Sequence, residues 1–265
     1  MKYFRYETVE PVLNLYPIVC WHIGAAQSDI GFIQGMIDRI ASEPSARWIY
    51  MGDGGECVTK QSKGDVYSQK MSPMEQQNEL VRLLEPVRGQ GLFGIKGNHG
   101  SRIYKETGLD FDETLCAKLG IPYLNTAAFW HLKLQEGSNH PGIFSIYTHH
   151  GVDSGVTIAS KATKAQAFDR TYIADAILTA HSHVALDLPP RYYATLADTR
   201  TTVGDPITWR ATHEYICGCA YDSRTGYAED KGYPPLLPAH IVIKFSVSAR
   251  GVKKQEATII RKEDL

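Results

Sequence analysis

The chain has 265 residues, with 43 % hydrophobic and 22 % charged side chains, and carries a formal net charge of -1. These are ordinary globular values, and the length is enough to bury a substantial core. Near-zero charge gives no bulk electrostatic reason for tight binding to a membrane surface or to long nucleic acid, although a nucleic-acid end stays among the conceivable substrates.

No apolar run approaches the roughly 20 residues of a membrane span. The segment Met1 to Glu10 has charged residues among its aromatics and no apolar stretch of the secretory kind. The five cysteines, Cys20, Cys57, Cys116, Cys217 and Cys219, are odd in number and scattered. That usage predicts reduced thiols and a cytoplasmic location. Cys217-Gly218-Cys219 reads as two small buried residues of a strand rather than a metal site.

Pro17 to Trp21 reads as a buried strand. Ile30, Ile33, Ile37 and Ile40 recur at helical spacing, so a helix is predicted over Asp29 to Ser42, capped by Ser28 or Asp29. Arg47 to Met51 is the next strand. Ser72, Pro73 and Glu75 form a helix start with a capping box, and that helix runs to about Val87. Leu92 to Lys96 is a strand, Asp112 to Leu119 a helix, Ile143 to Tyr147 a strand, Thr163 to Arg170 a helix, and Ile177 to Thr179 a short strand. After Pro189 the pattern turns strand-rich: Arg191 to Leu196, Thr212 to Cys217, His240 to Val247 and Glu256 to Arg261. Tyr233 to Pro238 is stiff and suits an extended connector. No repeat or linker divides the chain, so residues 1–265 read as one α/β domain with a βαβ core and an added, strand-rich third.

Five short motifs follow predicted strands, where ligands gather in α/β sheets. They are Cys20-Trp21-His22-Ile23-Gly24, Met51-Gly52-Asp53-Gly54, Lys96-Gly97-Asn98-His99-Gly100, Tyr147-Thr148-His149-His150-Gly151 and Thr179-Ala180-His181-Ser182-His183. Alone, each is a turn or a pair of surface histidines. Together they hold six of the ten histidines. Imidazoles, a carboxylate and an amide carbonyl form a donor set for zinc, iron or manganese.

The order and content of these motifs resemble the calcineurin-like metallophosphoesterase family, whose pattern runs Asp-x-His, Gly-Asp, Gly-Asn-His, a histidine after a strand, and Gly-His-x-His. Arg102 to Leu119 and Tyr227 to Pro238 are similar to the phage and bacterial branch, which places a phage-encoded protein in the host cytoplasm. The resemblance implies a four-layer αββα sandwich. It implies hydrolysis of phosphate mono- or diesters through a dinuclear centre of manganese, iron or zinc and a metal-activated hydroxide. His22, Asp53 and His183 are then expected to hold one ion. Asp53 is expected to bridge to a second, held also by Asn98, His149 and His181. His149 is preferred to His150 because it directly follows the strand, leaving His150 either to support the ligands from behind or to face substrate. His99 is expected to contact the phosphate and assist the leaving group. Arg102 is expected to reach a phosphate oxygen, with a surface ion pair as its alternative.

The chain departs from the family pattern at three positions. Cys20 stands where the family has aspartate, either as a thiolate ligand or as a small buried residue beside a weakened site. Ala180 replaces a glycine. Gly100 stands where an acidic residue often orients the histidine. These departures keep a second reading in view, a non-catalytic or weakly active binding module on the same fold.

Overall fold

Eleven strands and five α-helices are formed by the residues that the computed structural model describes, which are all except 63–65, 138–139, 153–154, 197–206, 226–228, 230–231 and 233. In chain order they are β1 (Lys2–Glu7), β2 (Val12–Ile18), α1 (Ile30–Ser42), β3 (Ala46–Tyr50), α2 (Pro73–Leu84), β4 (Gly91–Gly94), α3 (Gly100–Thr107), α4 (Phe111–Leu119), β5 (Ala127–Leu134), β6 (Gly142–His149), α5 (Ile158–Ala165), β7 (Ala176–Thr179), β8 (Ala185–Leu196), β9 (Ile207–Cys219), β10 (Ala239–Val247) and β11 (Lys253–Arg261). Tyr233, which opens the stretch read as a connector, and Tyr227, which opens the segment similar to the phage and bacterial branch, lie outside the described residues.

The strands form two leaves. One runs β1-β5-β6-β7-β9, with β8 on β9; the other runs β4-β3-β2-β10, with β11 on β10. They join where Gly218 and Cys219, at the end of β9, pair with His240 and Ala239. Facing side chains of both leaves make one core, including Leu13, Phe93, Ile243 and Phe245 from one side and Trp130, Phe144, Leu178 and Tyr215 from the other. The outer face of the second leaf packs Trp48 and Tyr50 against α1, α2 and α4. The outer face of the first leaf packs Ile216 and Leu188 on Ala165 of α5. The layers are therefore helix, sheet, sheet, helix, an α/β sandwich of the αββα kind.

Local chemistry explains the helices. α1 buries Ile33, Ile37 and Ile40 on one face, and Asp29 caps it by accepting from Phe32 N. Burying side chains of this size contributes roughly 1.5–3 kcal/mol each. At α2, Ser72 and Glu75 form the reciprocal capping box ahead of Pro73. Three elements escape the apolar pattern: β1, β5 and α3 have no counterpart in the sequence reading. β1, at the sheet edge, alternates exposed and half-buried positions, and β5 beside it alternates buried and half-buried ones, which dilutes the apolar signal. α5 starts five residues earlier than the helix expected from Thr163, because Thr157 caps it by accepting from Ser160 N. Among the described residues no helix is long and apolar enough to cross a membrane.

One buried acid sits apart from the loops described below. Glu214 of β9 faces Asp169, and among the described residues neither of its carboxylate oxygens has a hydrogen-bond partner. The guanidinium of Arg191 is spent on Asp169, with Nη1 3.1 Å from Oδ1. Burial, then the neighbouring Asp169 carboxylate, hold the Glu214 carboxyl above the ordinary value of 4.5. An acid raised on folding costs stability as pH climbs past its unfolded value. Glu214→Gln is therefore expected to raise the melting temperature at neutral pH and to flatten its fall above pH 4.5. Thermal melts of both proteins across pH check this; superimposable pH profiles would show that Glu214 ionises without penalty.

Candidate metal centre

β2, β3 and β4 are parallel neighbours, and so are β6 and β7. Parallel strands end at a common edge, so the loops after them gather together. Beyond β2 and β3 the two chains keep pairing as irregular segments: Cys20 N donates to Gly52 O at 3.2 Å, His22 N to Asp53 O at 3.1 Å, and Ile23 N to Gly54 O at 2.7 Å. β2 itself ends at Ile18, three residues short of the strand expected through Trp21. Cys20, His22, Asp53, His181 and His183 all have left-handed φ between 50° and 66°. They are five of the seven non-glycine residues so strained among those described. Such conformations cost of order 1–3 kcal/mol each and gather at functional sites.

Asp53 is 1 % exposed. Its Oδ1 accepts from His99 N at 2.8 Å, and its Oδ2 lies 2.9 Å from His150 Nε2. Burial by itself raises the Asp53 pKa, but His150, His99 and His22 reverse this and hold it well below the ordinary carboxylate range. His150 Nδ1 donates to Met51 O at 2.7 Å, leaving Nε2 directed at Asp53 Oδ2 and, at 3.0 Å, Asn98 Oδ1. A neutral imidazole oriented in this way brings three lone-pair atoms to one point. Either a proton or a cation must sit among them.

The adjacent histidines turn to opposite sides, and His150 rather than the expected His149 lies beside Asp53. β6 runs through His149, two residues past its predicted end, so the first residue beyond the strand is His150. Alternation then turns His149 to the outer face, where its ring lies 4.8 Å from that of Phe168 and Nδ1 accepts from Gly151 N. His150 shares the inner side with Thr148, which bonds Trp130 in the inter-sheet core.

The second half of the site lies around His22. Its Nδ1 donates to Glu56 Oε2 at 2.8 Å, and its Nε2 faces His183 Nε2 at 3.0 Å. With the proton on Nδ1 directed to a carboxylate, Nε2 carries a lone pair, the usual arrangement for a metal-binding imidazole. Cys20 Sγ groups within 4.8 Å of donors of His22 and His183, and equally with donors of Asp53 and His150. Burial pushes the Cys20 thiol well above its ordinary pKa, so a thiolate there requires a cation beside it. His181 leans toward the other half, its ring 5.4 Å from that of His150. The seven donors Cys20, His22, Asp53, Asn98, His150, His181 and His183 suit a borderline divalent ion, with Cys20 and Asp53 near both halves.

His99 and Arg102 form a lip beside these donors. His99 Nδ1 donates to Glu56 O at 2.7 Å, and its Nε2 accepts from Arg102 Nη2 at 3.0 Å. Arg102 Nη1 also reaches Glu56 O at 3.2 Å. Burial lowers the His99 pKa to about 4. Arg102 is therefore neither an isolated surface ion pair nor a free arm, but part of the His99 support. The sequence reading missed Glu56, although an acid three residues past Asp53 in a glycine-rich loop is a legible signal. It placed Asp112 only as a helix start, whereas its carboxylate reaches Gly97 N at 3.0 Å.

No family model matches the chain, and neither does any curated protein. Solved structures with a similar chain course include a putative 5'-nucleotidase from Staphylococcus aureus in complex with alpha-ketoglutarate, at 11 % identity and TM-score 0.48, covering 94 % of this chain and 54 % of that one. The calcineurin-like phosphoesterase YfkN from Bacillus subtilis is similar at 9 % identity and TM-score 0.44, covering 94 % and 90 %. A Vps29 double mutant from Entamoeba histolytica is similar at 12 % identity and TM-score 0.41, covering 94 % and 99 %. Identities this low leave the site to be read from its own residues.

The placement of the two histidines is testable. His150→Ala is expected to weaken zinc binding by at least about tenfold, and His149→Ala to leave it unchanged. Calorimetric titration of the two variants with zinc decides; equal losses, or a loss only in His149→Ala, would restore the original assignment.

Proposed function

We propose that this chain is a metal-dependent hydrolase of phosphate esters, acting at a centre held by Cys20, His22, Asp53, Asn98, His150, His181 and His183. The carrying observation is the convergence of all five strand-end motifs on one buried donor cluster, at the cost of five strained backbone positions. Manganese, iron and zinc all suit the donors, and the thiol of Cys20 favours zinc or iron over manganese at its half. Divalent ions bound there would polarise a phosphoryl oxygen and supply an activated nucleophile at neutral pH.

The chain's own groups have separate tasks. Asp53 offers two carboxylate oxygens and so suits a position shared between two ions, while Asn98 offers one carbonyl oxygen. Glu56 fixes the ring of His22 through Nδ1 and, by its backbone carbonyl, the ring of His99. Arg102 brings a permanent positive charge to the lip, suited to a phosphate oxygen. A phosphate that draws Arg102 away would free His99 Nε2 to face the leaving oxygen, and Nε2 would have to take up a proton from solvent, which the phosphate's negative charge favours, before it could serve as a general acid.

A second reading, a metal-binding module without turnover, is favoured by one observation. His99 Nε2 is already engaged by Arg102, and no carboxylate follows it at Gly100.

A panel of phosphomonoesters and phosphodiesters assayed with each metal tests hydrolysis directly. Asp53→Asn is expected to lose metal and activity together; full metal content with unchanged turnover would sink the shared-carboxylate role. His99→Ala is expected to keep its metal and slow turnover by roughly 10²–10⁴-fold. Metal loss in that variant would make His99 a ligand, and no activity in the unaltered protein with any metal would favour the binding module.

A further inference from the structure

Behind the loops of Asp53 and Asn98 lies a carboxylate that the proposed chemistry does not use. Asp112, in the first turn of α4, is 1 % exposed. Its Oδ2 accepts from Gly97 N at 3.0 Å, and its Oδ1 accepts from the Tyr50 hydroxyl at 2.6 Å. The Tyr50 oxygen in turn accepts from Gly54 N at 3.0 Å. Gly97 immediately precedes Asn98, and Gly54 immediately follows Asp53. One buried carboxylate is thus tied directly to one metal-donor loop and, through a single phenol, to the other.

The same carboxylate explains Gly100. A Cβ at position 100 would stand 2.5 Å from Asp112 Oδ2 and 3.1 Å from its Cγ. Gly100 opens α3 and is not among the residues with positive φ. The backbone therefore does not require glycine there; the seat of Asp112 does. A buried carboxylate is expensive unless its oxygens are hydrogen-bonded, and the donors it has found are the phenol and amide that place the two loops.

We propose that Asp112 is a positioning residue for the metal centre: it sets the register of the Asp53 and Asn98 loops from the space that a side chain at position 100 would otherwise take. It touches no ion and no substrate. It is hydrogen-bonded to the Asn98 loop directly and to the Asp53 loop through Tyr50, so its effect falls first on the half of the site built on Asp53, Asn98 and His150. The inference rests on the metal centre proposed above.

The test uses the full chain titrated with zinc alone by calorimetry, with bound metal counted by elemental analysis. Asp112→Ala removes the carboxylate. Gly100→Ala keeps it but pushes it from its seat, in a change that helix propensity favours, so this variant is expected to fold even where Asp112→Ala does not. Each is expected to weaken zinc binding by roughly 10–100-fold, the scale for residues that orient ligands. The loss is expected in the ion held through Asp53 and Asn98, with the ion at His22 and His183 retained. The double variant is expected to bind no worse than Asp112→Ala, because a methyl at position 100 then has nothing to displace. Wild-type affinity in Gly100→Ala, additive losses in the double variant, or equal loss of both ions with a lowered melting temperature would overturn the proposal. Absence of zinc binding by the unaltered protein would overturn the metal centre itself, an outcome that the unaltered protein alone reports.

Discussion

Asp53 carries a carboxylate into a position that is 1 % exposed, and a buried charge without compensation costs several kcal/mol. Much of the surrounding architecture is its compensation. The backbone of His99 donates to one oxygen and the ring of His150 approaches the other, while His22 and His99 add to the positive potential. Each compensating group arrives on a different strand-end loop, so the two sheets must be stacked in register before the carboxylate is tolerated at all. The inter-sheet core, with Trp130 and Phe93 packed edge to face at 5.4 Å, supplies that stacking.

The loops meet at a definite geometry because the backbone is forced to it. Left-handed φ at Cys20 and His22 points both side chains to one side, while Trp21 between them turns away and donates to His240 Nε2 at 3.2 Å. Gly52 allows Gly97 to pass so closely that a Cβ would overlap its backbone nitrogen. Strain at such positions persists only where surrounding packing over-determines it. Here the sandwich does so, and the result is a cluster of donor atoms drawn from five loops.

Charge around the site is arranged on three acids, of which Asp53 and Asp112 are fully buried and Glu56 half-buried. The innermost carboxylate, Asp53, faces imidazoles. The next, Glu56, joins His22 to the His99 and Arg102 lip and is held below its ordinary range because the hydrogen bond from His22, with His99 and Arg102 close by, outweighs its burial. Asp112, on the far side of the loops, is raised by burial to about 7 and has only neutral donors. The three acids thus have distinct surroundings: imidazoles and a backbone amide at Asp53, the rings of His22 and His99 at Glu56, and a phenol and a backbone amide at Asp112.

The five motifs, their order and the donor types they contain were legible in the sequence, because each short run of glycines and histidines after an apolar strand is local information. The helices with strong periodicity and caps, α1, α2 and α4, were legible for the same reason. What the tertiary structure alone decided is which atoms face which. His149 and His150 differ only in the parity of their position along β6, and parity depends on where a strand ends, a boundary set by pairing with β5 and β7 rather than by the sequence of β6. Glu56 reaches His22 only because the segments beyond β2 and β3 continue to pair. Asp112 and Gly100 are twelve residues apart, on two different helices, and their mutual exclusion exists only once α4 packs behind the loop. Residue types follow from local sequence, whereas contacts between loops depend on the stacking of two sheets whose strands are far apart in the chain.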